Sequence, residues 1–198
     1  MLLLSLKLMA LMLLGNNMSI WNDFQKFLGV GQEQQQQVAT PQAPTEPSKP
    51  DYYERLKIAE SGGRAEVKAK TSSATGHHQF VAGTWKELTT KYGKEYSLED
   101  RKDPAKSLEI AQLYTEENKK ILAKSLGDEP TDTQLYAAHF LGTTGAKKFL
   151  MASPKKLAKD VVNAKQVAAN KNIFFDEKNK PRTVSQVYGV LQKKIGEE

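Results

Sequence analysis

Cysteine is absent from the 198 residues, which removes disulfides, thiolate metal ligands and a thiol nucleophile together. Histidine is scarce, three in all, and none stands at a regular metal-ligand spacing with an acid, so a zinc site has little to build on. No stretch alternates apolar and polar residues over strand length, and no unit repeats. Long apolar runs are missing too. The Leu- and Met-rich start, Met1 to Leu14 with Lys7 its only charge, would cover roughly 21 Å as a helix, short of the roughly 30 Å hydrocarbon core of a bilayer. With no basic stretch ahead of it and Gly15-Asn16-Asn17 behind it, it is also a poor secretion signal. An upstream start, with Met18 opening a shorter protein, is the competing reading.

What is present divides by composition. Residues 1–30 form an apolar or amphipathic segment, in which Trp21, Phe24, Phe27 and Leu28 would share one side of a short helix suited to a partner protein or a membrane surface. Residues 31–50 have the character of a linker, with a glutamine run from Gln34 to Gln37 and four of the chain's eight prolines, at 41, 44, 47 and 50. Residues 51–198 then hold enough material for a single domain with a real core. The formal charge of +6 favours polyanionic partners. Lysine pairs at Lys119-Lys120, Lys147-Lys148, Lys155-Lys156 and Lys193-Lys194 lack interleaved aromatics, so they are expected to be solvated helix surface, and nucleic acid is not an expected ligand.

Beyond Pro50 the start and stop signals are helical almost throughout. Thr84-Trp85-Lys86-Glu87, Thr131-Asp132-Thr133-Gln134 and Thr183-Val184-Ser185-Gln186 have the form of capping boxes, and Asp103-Pro104 and Ser153-Pro154 put a capping side chain before a first-turn proline. Asp51 can cap a helix that Gly62 and Gly63 end. Helices are therefore expected to begin near residues 52, 85, 104, 132, 154 and 184. Leu108, Ala111, Ile121 and Leu122 keep helical spacing as far as Gly127. The expected fold class is all-α or mainly α.

Glu60 would close the first of these helices on its buried side. An acid there loses water and lies at the negative end of the helix dipole, and both effects favour the protonated form from which a general acid starts. A solvent-facing glutamate in an ordinary last turn is the plainer alternative. Glu66 is the nearest second acid, but it sits in the polar stretch Arg64 to Lys70, where a surface charge pair is expected.

Glu60-Ser61-Gly62-Gly63, followed by Ser72-Ser73-Ala74-Thr75-Gly76-His77-His78-Gln79-Phe80 and by Thr84-Trp85, resembles the lytic transglycosylases of the soluble-transglycosylase, goose-lysozyme-like group, above all their phage-borne forms. Tyr136-Ala137-Ala138-His139-Phe140-Leu141-Gly142 is similar to the phage variant of that family's Ala-Tyr-Asn-Ala-Gly helix. Pro181-Arg182-Thr183-Val184-Ser185-Gln186-Val187-Tyr188 is similar to its C-terminal segment, which carries a cleft tyrosine. The resemblance spans about residues 51–195, with four motifs in the family's order. It implies a lysozyme-like domain, which can carry a small β element beside its cleft, acting on the β-1,4 bond between N-acetylmuramic acid and N-acetylglucosamine in peptidoglycan glycan strands.

A hydrolysing glycosidase normally uses two carboxylates, about 5 Å apart for retention or about 6.5–9.5 Å apart for inversion. One acid suffices where the sugar supplies its own nucleophile, and the resemblance implies that route. Glu60 would protonate the glycosidic oxygen and then, as carboxylate, take the proton of the muramic C6 hydroxyl, giving a 1,6-anhydro ring with no cofactor and no metal. Ser73, Thr75, Gln79, His139 and Tyr188 would contact the substrate or orient the acid. Each has a plainer alternative: a glutamine amide or Ser and Thr hydroxyls satisfying nearby backbone, a satisfied histidine, and a core tyrosine with its hydroxyl at the rim. Gly76 would permit close backbone approach. His77 and His78 replace an apolar pair of the family, a departure that bears on local packing.

The phage-like motifs, together with the poor secretion signal, point to a virion-associated enzyme acting in the bacterial periplasm or cell envelope, and the amphipathic character of residues 1–30 suits an attachment to virion proteins or a membrane surface. Two alternatives act on the same polymer, a hydrolytic muramidase and a murein endopeptidase, although the latter's usual cysteine or metal-spaced His and Asp are missing. A noncatalytic wall-binding or virion structural module is the third.

Overall fold

Asp51 accepts a hydrogen bond from Glu54 N at 2.9 Å and opens α1 (Tyr52–Ser61), and Gly62 closes it in the left-handed region at φ +62°. The computed structural model describes residues 50–70 and 72–197, all within one compact unit. The segment expected over 1–30 and, apart from Pro50, the linker expected over 31–50 lie outside the described residues. After α1 come α2 (Ala82–Lys91), α3 (Pro104–Leu126), α4 (Asp132–Leu141), α5 (Thr143–Leu150), α6 (Ala164–Ala169), α7 (Lys171–Phe174) and α8 (Val184–Ile195), with 3₁₀ turns at Glu99–Lys102 and Ala158–Asp160. The described chain is mainly helical. Its extended pairing consists of isolated bridges, Lys68 with Thr75, Thr75 with Phe80, Leu157 with Thr183 and Phe175 with Pro181.

The expected starts at 52, 104, 132 and 184 hold, with Asp51, Asp103, Thr131 and Thr183 as caps and complete capping boxes at the last two. Two expected starts are corrected. The Thr84 box goes unused because α2 begins earlier, at Ala82, whose N–H donates to Ser73 Oγ at 3.0 Å; the cap comes from the preceding loop and not from the local sequence. No α-helix begins at 154. Ser153-Pro154 opens a turn, Lys156 N donating to Ser153 O at 3.0 Å, because the chain must then extend to pair Leu157 with Thr183.

The middle of the fold is α4. Thr133, Leu135, Tyr136, Ala137, Ala138 and Leu141 are all buried, so the helix is enclosed almost all round, and it packs on α3, α5 and α8. Ala137 and Ala138 leave room for neighbouring helices to come close. Leu56, Trp85, Ile110, Phe149, Phe174, Val187 and Leu191 complete the core around it. The short α6 and α7, six and four residues long, are below the length at which a helix persists alone. Burial of Ile173 and Phe174, worth on the order of 2 kcal/mol each, offsets that deficit. No helix among the described residues is long and apolar enough to cross a membrane.

Candidate active site around Glu60

Glu60 stands in the last turn of α1, half-buried, with its Oε1 out of solvent and without a hydrogen-bond partner. Five buried side-chain polar atoms among the described residues lack partners: Glu60 Oε1 and the Tyr52 hydroxyl on α1, and Thr133 Oγ1, the Tyr136 hydroxyl and His139 Nδ1 on α4. Each such atom costs about 1–3 kcal/mol, so their confinement to two helices marks a place where the fold retains unsatisfied polarity. The Tyr136 phenol is pushed above its ordinary range by burial first and then by the charge of Glu60. Tyr52 is pushed up by burial, then by Asp132, with Glu60 a smaller cause. Both phenols therefore remain protonated, and among the described residues no cation pairs with Glu60 within 4 Å.

Among the described residues the two acids that could have joined this group are engaged elsewhere. Asp132 is tied to Arg55, and Glu66, its side chain 79% exposed, faces Lys102 at 3.8 Å. The surface pairing expected of Glu66 is present, with Lys102 in place of the neighbouring Arg64 or Lys68. Among the described residues no three His, Asp or Glu side chains converge so as to hold a metal ion.

The loop after α1 folds back on itself. Gly76 N donates to Val67 O at 2.9 Å, Ala69 N to Ala74 O at 2.9 Å and Thr75 N to Phe80 O at 3.3 Å. Gly76 takes φ +85°, and a Cβ there would lie 1.9 Å from Arg101 O, so only glycine fits against the 3₁₀ turn. Gln79 holds a left-handed φ of +49°, which a non-glycine residue adopts at a cost of about 1 kcal/mol or more. Its amide Nε2 donates to Val67 O at 3.0 Å and Gly76 O at 2.8 Å. Thr75 is buried, and its hydroxyl donates to Ser73 O at 3.2 Å, while Ser73 Oγ caps α2. Arg101, 7% exposed, donates to the Leu98, Ser73 and Phe80 carbonyls at 2.8, 2.6 and 3.1 Å and holds the loop's outer end.

The histidines pack inward. His78 is 2% exposed and pairs Nδ1 with Ser107 Oγ at 2.9 Å. Its pKa is pushed down to about 3 by burial, then by His139, His77 and Lys57. His139 Nε2 donates to the His78 carbonyl at 2.9 Å, so a neutral His139 carries its proton there and leaves Nδ1 as the partnerless acceptor. Its ring lies edge-on to Phe80, with centroids 5.3 Å apart.

No hydrogen bond joins Ser73, Thr75, Gln79, His139 or Tyr188 to Glu60. The first three are engaged in building the loop beside it, and His139 ties α4 to that loop. Tyr188 projects from α8, its hydroxyl 3.4 Å from Thr131 Oγ1, and lines a concavity of about 240 Å³ with Gln134, Phe149 and Ser185. The phenols that respond to Glu60 are instead Tyr136 and Tyr52. Tyr136 lies inside the Tyr136–Gly142 motif, and its signal was a tyrosine in a helix enclosed by apolar residues, where a hydroxyl needs an internal destination. Arg101 left no comparable trace in the sequence.

A larger concavity, about 370 Å³, runs between α1, His77, His78 and the first turns of α3, lined among others by Tyr53, Lys57, Leu108 and Gln112. Tyr53, Lys57 and Glu60 follow i, i+4, i+7 spacing and share a face of α1, so this groove leads along the helix toward the acid, although Glu60 does not line it. The arrangement can deliver one proton from one carboxyl group, with two phenols that feel its charge nearby. No protein-family model matches the chain.

Proposed function

We propose that this chain is a peptidoglycan-cleaving lytic transglycosylase with a lysozyme-like domain, carried by a phage particle and used on the host envelope as the particle enters or leaves. The observation that carries this reading is the solitary, half-buried Glu60 with its partnerless Oε1, beside a phenol that feels its charge and with the neighbouring acids tied to Arg55 and facing Lys102. A pair of free carboxylates would instead suit hydrolysis.

In this mechanism protonated Glu60 gives its proton to the glycosidic oxygen as the bond from muramic C1 to that oxygen breaks. The Glu60 carboxylate then takes the proton of the muramic C6 hydroxyl while that oxygen bonds C1. The proton removed restores the acid, and water is not consumed. Tyr136 supports Glu60 as a positioning residue, and the loop held by Gly76, Gln79 and Arg101 forms one wall of the approach.

Digestion of purified sacculi by the full chain, followed by mass spectrometry of the muropeptides, tests the proposal. Muramic ends carrying 1,6-anhydro rings are the expected product. Reducing muramic ends would make the chain a hydrolytic muramidase, severed cross-links an endopeptidase, and unchanged sacculi a structural module.

A further inference from the structure

Charge is distributed unevenly along the domain. Residues 143–197 hold eleven lysines and one arginine against four acids, whereas residues 50–142 hold fourteen cations against fifteen acids. Three of the four C-terminal acids are occupied. Asp176 Oδ1 accepts from Lys178 N and Lys180 N at 2.9 and 2.8 Å, Glu197 accepts from Asp132 N and Thr133 N at 3.1 and 2.8 Å, and Asp160 pairs with Lys159 at 2.8 Å. Arg182 is turned inward onto the Asn172, Ile173 and Phe175 carbonyls. Lys148, Lys155, Lys156, Lys171, Lys178 and Lys180 are exposed, and among the described residues none has an acidic partner within 4 Å.

Lys155, Lys156, Lys178 and Lys180 belong to segments tied together. The Phe175–Pro181 bridge sets Lys178 and Lys180 in a tight turn, the Leu157–Thr183 bridge brings that turn's stem beside Lys155 and Lys156, and Val184 N donates to Lys156 O at 2.8 Å. We infer that residues 143–197 present a cationic docking surface for the carboxylates of the wall polymer's peptide stems, which holds the glycan strand on the domain while Glu60 acts. This inference rests on the substrate proposed above. Lysine, a hydrated point charge on a flexible stem, suits many weak contacts with scattered carboxylates, whereas planar two-pronged grips on phosphate and base edges call for arginine. A membrane surface would require apolar side chains to insert, and Met151 is the one large exposed hydrophobic residue described in this part.

The test uses the full chain with Glu60→Gln, so that binding is read without cleavage, in cosedimentation with purified sacculi over a range of salt. Expected is binding that falls steeply as salt rises. Adding Lys148→Gln, Lys155→Gln, Lys156→Gln and Lys178→Gln should weaken it roughly tenfold or more, with an unchanged helical circular dichroism spectrum. Removing the same charge from the other part, through Lys86→Gln, Lys91→Gln, Lys119→Gln and Lys124→Gln, should weaken it far less. Sacculi whose carboxyl groups have been amidated should bind poorly. Equal loss from the two lysine sets, or undiminished binding to amidated sacculi, overturns the inference. Tighter binding to phosphatidylglycerol vesicles or duplex DNA than to sacculi overturns it in favour of a membrane or a nucleic acid. Binding of the predicted kind by a parent chain that cleaves nothing would keep this surface and remove the lytic reading. Cleavage by a parent chain whose binding ignores salt would do the reverse.

Discussion

Residues 50–142 and residues 143–197 carry fourteen and twelve cations and use them in different ways. In the first part several face acids or carbonyls that fix one element on another, while Lys68, Lys70, Lys86, Lys120 and Lys124 are exposed and have no acidic partner within 4 Å among the described residues. Lys94 with Glu109 and Lys106 with Asp100 hold the 94–102 stretch on α3, Arg55 with Asp132 ties α1 to α4, and Arg101 clamps the loop after Glu60. The pairs made by Lys94 and Lys106 are screened by solvent and add little stability, whereas Arg55 and Arg101 are largely out of solvent. Their value is positional. In the second part Asp176 and Glu197 accept from backbone N–H groups, and among the described residues Lys159 alone of the lysines pairs with an acid. One part turns a share of its charge inward to shape a site, and the other leaves most of its charge available to whatever approaches.

The comparison breaks most sharply at Glu60. Glu60→Gln should lower lysis of sacculi by roughly 10²- to 10⁴-fold, the usual worth of a general acid, without loss of thermal stability. An unchanged rate would remove Glu60 from the chemistry.

Glycines in the two parts should respond with opposite sign. Gly76→Ala forces a Cβ to within 1.9 Å of the Arg101 carbonyl at φ +85° and should destabilise by about 3 kcal/mol or more in urea denaturation. Gly189→Ala, in the interior of α8 with nothing within 4 Å of the added carbon, should stabilise by about 0.5–1 kcal/mol. Two similar results would mean that the loop is no more constrained than the helix.

Acid should act through the first part. His78 is held neutral with a pKa near 3 against an ordinary value of about 6.5, so between these values the unfolded chain binds the extra proton. Its contribution is fully present above about 6.5 and declines by up to about 1.4 kcal/mol per pH unit as the pH falls toward 3. Chemical denaturation across that window measures the slope. An NMR titration in which His78 protonates near 6 would contradict the burial on which it depends.

The smallest effect lies where the second part caps the first. Burial alone would raise the Glu197 carboxyl, but hydrogen bonds from Thr133, Thr131 and Asp132 outweigh it and hold the group below the ordinary carboxylate range. Its stabilisation is therefore present above that range and is lost as the pH falls through the lowered value. Glu197→Gln should cost about 0.5–1 kcal/mol near neutral pH, read as a modest drop in melting temperature.

Much of the helical framework was legible because caps are local. Asp51, Asp103, Thr131 and Thr183 satisfy N–H groups two or three residues away, a distance any window of sequence contains. The failures at 85 and 154 have the opposite cause. Ala82 takes its cap from Ser73, nine residues earlier, and the chain after Pro154 is extended by a partner at Thr183. The site divides in the same manner. Glu60 at a helix end before two glycines was visible, and so was the close approach at Gly76. The engagement of Ser73, Thr75 and Gln79 with their own loop, the distance of Tyr188 from the acid's hydrogen-bonding and the adoption of Tyr136 as its neighbour were not.

The sequence by itself determined a mainly helical domain beyond Pro50, the absence of thiol chemistry and a single acid at the end of α1, since composition, period and capping act over a few residues. Tertiary structure alone decided what surrounds that acid. Burial of Oε1, the phenols of Tyr52 and Tyr136, and the grip of Arg101 on the loop depend on α1, α3 and α4 meeting across long stretches of chain, and desolvation and hydrogen bonding belong to that meeting and not to any one of the segments.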